Sequence, residues 1–274
     1  MKEYIARSPG LFEGKVAFMG GAGSVAPGWS IGKACSMAYA REGAAVVCAD
    51  LKQEAADDIA HLIEKEGGKA IAIALDVSKQ DQVEAAVAKA LQAYGRIDIL
   101  QNNAGLGILG GAVDLAPDDW QRAFEVNVTA VMLAAKAVLP GMIERGSGVI
   151  TSVSSIAGFR HVGFPYISYG ATKAAMAHVT KLIALDHAAD GIRANTIVPG
   201  LIDTPRIEFT VRTARPDLSF DEVRAKRDAQ VPLGRMGTAW EIAEVAVFLA
   251  SDAARYVTGT DMFVDGGLAA TVRG

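Results

Sequence analysis

A tyrosine and a lysine four residues apart are the side chains best placed to do chemistry in this chain. Tyr169 and Lys173 lie in the segment Tyr-Gly-Ala-Thr-Lys at the start of a predicted helix, and residues four apart share one face of a helix. A nearby ammonium favours the phenolate form of a phenol, so Tyr169 can exchange a proton with a carbonyl or alcohol oxygen. Ser155, just after an apolar run, can hold the same oxygen by a hydrogen bond. This set predicts acid–base chemistry on a carbonyl/alcohol pair.

A glycine-rich segment near the N-terminus predicts a phosphate site. Residues 20–32 contain five glycines between a short apolar run and a helical stretch, and glycines at such a turn let backbone N–H groups approach a diphosphate at the helix N-terminus. Asp50 ends the second apolar run, where a carboxylate would meet the adenosine ribose and repel a 2′-phosphate. These features predict NAD rather than NADP; the other interpretation of Asp50 is a turn or helix-capping residue.

Two alternative kinds of site are weaker. Residues 28–32 match Gly-x-Ser-x-Gly, the nucleophile elbow of hydrolases, but that elbow turns directly off its strand, whereas here residues intervene after Met19. A late triad histidine is also missing, since none follows His187. The four histidines and two cysteines show no metal-ligand spacing, so we expect no metal.

Apolar runs and helical stretches alternate along the chain. Runs that predict strands begin at Lys15, Ala45, Ala70, Ile97, Gly148, Arg193 and Asp261, and helices are predicted at about 31–42, 53–66, 82–94, 117–144, 169–190 and 241–251. Such alternation predicts parallel strands with right-handed helical crossovers. We therefore expect an α/β fold, one doubly wound Rossmann-type domain over residues 1–274 with a parallel sheet of about seven strands. Residues 205–231 are polar, as in a substrate loop or a solvated helical excursion.

Composition excludes several other classes of protein. The formal net charge is −4, so the chain lacks the excess of basic residues that is typical of nucleic-acid-binding proteins. Lys136 interrupts the longest apolar stretch, so we expect no segment to reach the roughly 18 residues of a membrane span. The N-terminal residues carry both charge signs without an apolar core, unlike a secretory signal. Two cysteines fit a reducing compartment, so we expect a cytoplasmic protein.

The motifs taken together resemble those of the short-chain dehydrogenase/reductase family over about residues 11–268. They are Asn-Asn-Ala-Gly at 102–105, the serine, Tyr-x-x-x-Lys, and Pro-Gly at 199–200, in that order. The resemblance implies that Tyr169 is the catalytic acid/base, that Lys173 binds the nicotinamide ribose, that Ser155 orients the substrate oxygen, and that Asn127 supports a proton relay. It implies that NAD is held by Gly21, Ser30, Ile31, Asp50, Leu51, Asp76, Val77, Asn103, Ala104, Gly105, Tyr169, Lys173, Pro199, Ile202 and Thr204. It also implies a small alcohol or ketone as substrate and a homotetramer.

Two departures from the family's pattern leave alternatives open. The glycine motif usually reads TGxxxGxG, with its outer glycines six apart, but Gly21 and Gly32 are eleven apart and Ser30 stands at the middle glycine. We expect the five-residue insertion to loop around the diphosphate. Ser155 also lies one residue further from Tyr169 than is usual, so Ser154 is an alternative for its role.

The substrate and the reaction subtype have competing interpretations. Tyr166 and Lys173 also fit the Tyr-x6-Lys spacing of enoyl-thioester reductases in the same superfamily, and a non-catalytic dinucleotide-binding protein is a third candidate. We expect pocket walls from residues 106–109, 156–164 and 205–231. The apolar side chains among them that suggest an apolar secondary alcohol or ketone are Ile108, Phe159 and Phe164, while Arg160 and His161 leave an anionic group open.

Overall fold

The computed structural model describes residues 10–207 and 219–271, and at its centre lies a parallel sheet of seven strands. The strands are β1 (Val16–Gly20), β2 (Ala45–Asp50), β3 (Lys69–Ala74), β4 (Ile99–Asn102), β5 (Gly148–Val153), β6 (Ile192–Pro199) and β9 (Asp261–Val264). They lie in the order β3-β2-β1-β4-β5-β6-β9. The order reverses between β1 and β4, and open α/β sheets bind ligands at such a point. The predicted doubly wound α/β fold is confirmed.

Helices cover both faces of this sheet. They are α1 (Ile31–Arg41), α2 (Gln53–Lys65), α3 (Gln80–Tyr94), α4 (Pro117–Phe124), α5 (Ala130–Glu144), α6 (Ile167–Asp186), α7 (Phe220–Asp228) and α8 (Ala239–Ala250). One core cluster joins α1, α2 and α8 to the sheet, and a second joins α3, α5 and α6 to its other face. The central strands are buried on both faces, which explains why they are continuous apolar runs in the sequence, whereas the edge strands β3 and β9 are partly exposed.

The predicted helix at 117–144 differs in one detail that concerns function. A π-helical turn, Glu125–Thr129, separates α4 from α5 and contains Asn127. Such turns occur often at functional sites because the wider turn displaces one side chain.

The same helical segment corrects the expectation about membrane spans. By length and composition, Pro117–Glu144 contains a window long and apolar enough to cross a membrane, despite Lys136. Several of its buried side chains, among them Leu133, Val138 and Met142, belong to the core cluster that covers one face of the sheet. The segment is therefore a core helix of the fold.

Within the described residues, the polar excursion at 205–231 contains helical residues at 205–207 and the helix α7. A capping box at Ser219 and Glu222 begins it. Val223 of α7 packs with Ile207 and Met236, which holds the helix at the rim of the sheet. A two-stranded parallel sheet of β7 (Ile202–Asp203) and β8 (Gly237–Thr238) lies at the base of the excursion. Two-residue strands are too short for a hydrophobic period, so the sequence did not predict them.

Candidate active site

A cleft of about 570 Å³ opens at the carboxyl ends of the central strands. Its lining comes from the glycine-rich turn after β1, the segments after β4, β5 and β6, the start of α6, and α7. We call the part beside the glycine-rich turn and Asp50 the cofactor half, and the part beside Phe164 and α7 the substrate half. The predicted residues that line this cleft are Gly21, Ser30, Ile31, Asp50, Asn103, Ala104, Gly105, Ser155, Tyr169, Lys173, Pro199, Ile202 and Thr204.

Tyr169 and Lys173 lie between the two halves, one turn apart on α6. The Lys173 Nζ is 5.7 Å from the centre of the Tyr169 ring and donates a hydrogen bond of 2.8 Å to the Val153 carbonyl. Lys173 is only 3% exposed. This burial, and then the positive charge of Arg206, lowers the pKa of Lys173 to about 7. The site therefore holds a lysine that can gain or lose its charge near neutral pH.

Asn127 lies behind these two residues and does not line the cleft. Its Oδ1 accepts a hydrogen bond from the Leu106 N–H, and its Nδ2 donates to the Leu106 carbonyl and to Thr172 Oγ1, each at 2.8 Å. The amide thus ties the segment after β4 to α6. A Cβ at Gly105 would lie 3.1 Å from Lys173 Nζ and 3.6 Å from Asn127 Oδ1. Glycine here keeps the space between these groups open.

The two candidate serines occupy different environments. Ser154 Oγ is buried and donates to the Lys173 carbonyl at 2.8 Å. Ser155 Oγ lies at the cleft and accepts a hydrogen bond of 3.2 Å from the Ala157 N–H, which leaves its own proton to donate. The geometry favours Ser155 as the residue that holds a substrate oxygen.

Close backbone packing forms the glycine-rich turn. A Cβ at Gly32 would lie 1.9 Å from the Gly21 carbonyl oxygen, and one at Gly21 would lie 2.5 Å from the Ala104 nitrogen. Gly21 also has a φ of 86°, which favours glycine. Asn103 Nδ2 donates to the Gly21 carbonyl at 2.7 Å and joins this turn to the segment after β4. The result is a surface without side chains, which a diphosphate can approach.

Ser30 closes the base of the loop that contains the five-residue insertion, residues 24–29, which we call the inserted loop. Its Oγ donates to the Gly23 carbonyl at 2.6 Å and accepts from the Lys33 N–H at 3.1 Å, as the N-cap of α1. These bonds give the serine of the Gly-x-Ser-x-Gly match a structural role in place of the nucleophile of a hydrolase.

The inserted loop reaches across the cleft instead of only surrounding a diphosphate site. Trp29 packs on the buried Trp240 of α8, with 4.5 Å between ring centres. A Cβ at Gly28 would lie 2.9 Å from Pro205 Cγ, where the polar excursion begins. The loop therefore contacts the segment that leads into the substrate half.

Asp50 faces the cleft with both carboxylate oxygens already hydrogen-bonded. Oδ2 accepts from the Gly23 N–H at 2.9 Å and Oδ1 from the Lys52 N–H at 3.2 Å. A carboxylate oxygen has more than one lone pair, so these bonds orient the group and leave it able to accept from ribose hydroxyls. Both interpretations of Asp50, as a turn residue and as a cofactor ligand, are compatible with this geometry.

Three predicted cofactor residues do not line the cleft. Leu51 is 65% exposed. Burial raises the pKa of Asp76, but the hydrogen bonds that it accepts from Ser78 Oγ and from Arg122 outweigh this effect. The pKa of Asp76 therefore lies below its usual range. Val77 lines a small apolar cavity beneath β1 and β4.

The substrate half differs most from expectation. Of the three apolar residues predicted there, only Phe164 lines the cleft. Phe159 packs on Phe263 with 5.0 Å between ring centres, Arg160 donates to the Thr271 carbonyl, and His161 Nδ1 accepts from the Gly163 N–H. Residues 106–109, including Ile108, are not part of the lining.

Sequence reasoning missed the charged lining of the substrate half. Arg206, Lys226 and Arg227 line it, together with Gln230 and Tyr166. The signal available in the sequence was the number of basic residues at 205–231, but their positions did not show which of them would face the cleft.

Comparison with known proteins identifies the family. A family model described as Enoyl-(Acyl carrier protein) reductase matches residues 25–269. The chain is 38% identical to 3-oxoacyl-[acyl-carrier-protein] reductase FabG of Thermotoga maritima over 93% of this chain and 98% of that protein. It is 39% identical to 2-(S)-hydroxypropyl-CoM dehydrogenase 3 of Xanthobacter autotrophicus over 89% and 94%.

A solved structure supports the same assignment. The crystal structure of a short-chain dehydrogenase/reductase from Burkholderia xenovorans superposes with a TM-score of 0.92 at 37% identity, covering 96% of this chain and 100% of that one. With the sheet order and the cleft described above, these matches show that the chain belongs to the short-chain dehydrogenase/reductase family, oxidoreductases that bind a nicotinamide dinucleotide.

Proposed function

We propose that this protein interconverts a secondary alcohol and a ketone with NAD(H). The observation that carries the proposal is that Tyr169, Lys173 and Ser155 line the same cleft, with Lys173 Nζ 5.7 Å from the centre of the Tyr169 ring. The names of the two relatives, a 3-oxoacyl reductase and a hydroxypropyl dehydrogenase, both describe chemistry at a carbonyl or secondary alcohol.

The roles of the side chains follow from their positions. In the reducing direction, a bound nicotinamide dinucleotide would provide the hydride that reduces the carbonyl carbon. Tyr169 donates its phenolic proton to the carbonyl oxygen, and Ser155 Oγ donates a hydrogen bond to that same oxygen. Lys173 in its charged form stabilises the phenolate that remains on Tyr169. Asn127 is a positioning residue, because it holds the segment after β4 against Thr172 of α6.

The cofactor half suits NAD in charge and in shape. The bare backbone around Gly21 and Gly32 and the N-terminus of α1 would hold the diphosphate. The carboxylate of Asp50 would accept hydrogen bonds from the adenosine ribose and repel a 2′-phosphate. Lys173 Nζ, close to Gly105, would bind the nicotinamide ribose.

An enoyl-thioester reductase is a second candidate, favoured by one observation besides the description of the family model. Tyr166 lies seven residues before Lys173 and lines the cleft, with its ring 5.1 Å from that of Tyr169. Burial raises the pKa of Tyr166, although the charge of Arg206 acts in the opposite direction. In this alternative Tyr166 would supply the proton, and the substrate would be a carbon–carbon double bond conjugated to a thioester.

A substrate panel tests the proposal directly. The purified protein is mixed with NADH or NADPH and with ketones, 3-oxoacyl thioesters and enoyl thioesters, and absorbance of the reduced cofactor is followed. We expect turnover of ketones with NADH. Turnover of enoyl thioesters alone would favour the second candidate. Cofactor binding in a fluorescence titration without turnover of any compound would favour a non-catalytic binding protein.

We also propose that residues 1–274 form one domain that assembles as a homotetramer in the cytoplasm. The support is the family relationship together with large apolar side chains exposed on the long helices, among them Met132 on α5 and Leu182 and Leu185 on α6. Closed symmetric assemblies bury such faces. Light scattering should report about four times the chain mass of 28.6 kDa, and a monomer at micromolar concentration would contradict the proposal.

A further inference from the structure

Three cationic side chains surround the substrate half of the cleft. Arg206 follows the short strand β7, and Lys226 and Arg227 lie on α7, so two separate segments direct positive charge at one space. Among the described residues that line the cleft, the only carboxylate is that of Asp50, which belongs to the cofactor half. Among the described residues, the lining of the substrate half therefore contains basic side chains and no acidic ones.

Arg227 is the central member of this cluster. It is half-buried, and its Nε is buried without a hydrogen-bond partner among residues 10–207 and 219–271. Burial lowers the pKa of Arg227, although the charge of Asp203 opposes this effect. A buried polar group without a partner is costly, so such a donor commonly serves a ligand.

Among the described residues, two carboxylates close to Arg227 in the chain or in space have other hydrogen-bond partners. Asp203 forms a two-pronged ion pair with Arg224, one turn before Arg227 on α7. Asp228 Oδ1 accepts a hydrogen bond of 2.7 Å from the Met236 N–H. Arg224 is thus paired with an acid outside the cleft, whereas Arg227 lines the cleft.

Arg206 connects this charge to the reaction centre. Its guanidinium donates a hydrogen bond of 3.0 Å to the Gly105 carbonyl, in the segment that also contacts Lys173 and Asn127. An anion held near Arg206 and Arg227 would therefore lie within one small molecule's length of Tyr169. Phe164, Val162 and Val223 supply apolar lining for the body of that molecule.

We propose that the substrate is a ketone or secondary alcohol that carries an oxyanion, either a carboxylate or a phosphate, bound by Arg227 with Arg206 and Lys226 around it. The proposal rests on the proposed function and deepens it. Guanidinium groups bind both kinds of oxyanion through paired N–H donors. A free keto acid and a phosphate-bearing thioester would both satisfy this chemistry.

Two pairs of probes compare an anionic compound with an uncharged one, and the first pair differs in little but charge. One pair is 5-oxohexanoate and 5-oxohexanamide, and the other is acetoacetyl-CoA and the uncharged acetoacetyl-N-acetylcysteamine. We expect at least one pair to show a preference for the anion of about tenfold or more in kcat/KM, since a charge-assisted contact in a partly buried site is worth at least that much. The pair that shows it identifies the source of the oxyanion, and no preference in either pair would overturn the proposal.

Variants test whether Arg227 is the residue that causes the preference for the anion. Arg227→Gln should reduce the preference to within about twofold of unity, and Arg227→Lys should restore part of it. Arg255→Gln, an exposed arginine outside the cleft, is the control for the loss of one positive charge and should retain the full preference. A preference that survives in Arg227→Gln would show that Arg227 does not bind the anion.

A binding measurement separates this inference from the proposed reaction. Calorimetry compares hexanoate with hexanamide on wild type and Arg227→Gln, each with NADH present and absent. Tighter binding of hexanoate that Arg227→Gln abolishes would support the anion site even if no ketone is reduced, in which case only the proposed reaction fails. Equal binding of the two compounds by wild type would contradict the anion site whatever the turnover.

Discussion

The two halves of the cleft are built in different ways. In the cofactor half, the turn after β1 is held by contacts between backbone atoms, such as those of Gly21 and Gly32, where no side chain fits. In the substrate half, the lining is made of side chains from the segment after β5 and from α7, which packs through a small cluster around Val223. The first surface has little freedom to change without loss of the fold, and the second can change its chemistry by substitution.

The largest effect is expected where the two halves meet, at Tyr169. Tyr169→Phe should lose at least about 100-fold in kcat, because it removes the group that moves a proton in the transition state. Its cofactor Kd should change little. Tyr166→Phe, which alters the rim of the substrate half, should stay within about tenfold and affect mainly KM. Steady-state kinetics of both variants provide the measurement, and the reverse order would favour enoyl reduction.

The cofactor half should discriminate strongly by charge. We expect kcat/KM with NADH to exceed that with NADPH by about 100-fold or more, because a 2′-phosphate beside the Asp50 carboxylate costs several kcal/mol. Asp50→Asn removes the charge and keeps an acceptor for the Gly23 N–H, so it should narrow the ratio by about tenfold. Equal kcat/KM for the two cofactors in wild type would show that Asp50 does not select the cofactor.

Two glycines of the same region test the backbone contacts. Gly32→Ala should weaken NADH binding by at least about tenfold, since its Cβ would lie 1.9 Å from the Gly21 carbonyl oxygen and must displace the turn. Gly20→Ala is the matched control, because its Cβ would lie 3.8 Å from the Gln101 carbonyl oxygen and from Val77 Cγ1, which are ordinary contacts. Fluorescence titration of both variants gives the Kd values; similar losses in the two would refute the close-packing explanation.

The smallest effect concerns stability and its dependence on pH. The pKa of Lys173 is about 7 in the folded protein and about 10.4 in an unfolded chain. Unfolding therefore takes up a proton between these values, and the stability of the cofactor-free protein should rise with pH across that window. Lys173→Met removes the titrating group, so its melting temperature should exceed that of wild type by about 2–4 °C at pH 6.

That difference should shrink by pH 9, where Lys173 is largely uncharged in the folded wild-type protein. Thermal unfolding of both proteins at the two pH values provides the measurement. A constant difference would show that burial of the Lys173 charge does not contribute to the pH dependence.

The sequence predicted the parts of the molecule that regular patterns determine. The apolar runs that became β1 to β6 and β9 are evident because they alternate with helical patterns and because the central strands are buried on both faces. The carboxyl ends of those strands then had to meet at one edge, so Gly21, Asn103, Ser155 and Lys173 were expected to lie together, as the structure has them.

The rest depended on contacts between distant segments, which one sequence does not display. Phe159 and Arg160 are in the expected segment, but they turn toward Phe263 and Thr271 near the C-terminus. Conversely, Arg206 and Arg227 face the cleft because β7 pairs with β8 and Val223 anchors α7. Residues 208–218, part of the predicted substrate loop, lie outside the described residues.

The hydrogen bond from Ser30 to the Gly23 carbonyl has a consequence for engineering. This hydrogen bond joins Gly23 to Ser30 and so closes the base of the inserted loop, whose six residues lie between them. The entropy of closing such a loop depends only weakly on its length. Loops of other lengths or sequences could therefore replace residues 24–29 without moving the start of α1. Such replacements would remove the contact between Gly28 and Pro205 and would change access to the substrate half of the cleft. The backbone around Gly21 and Gly32 would stay in place.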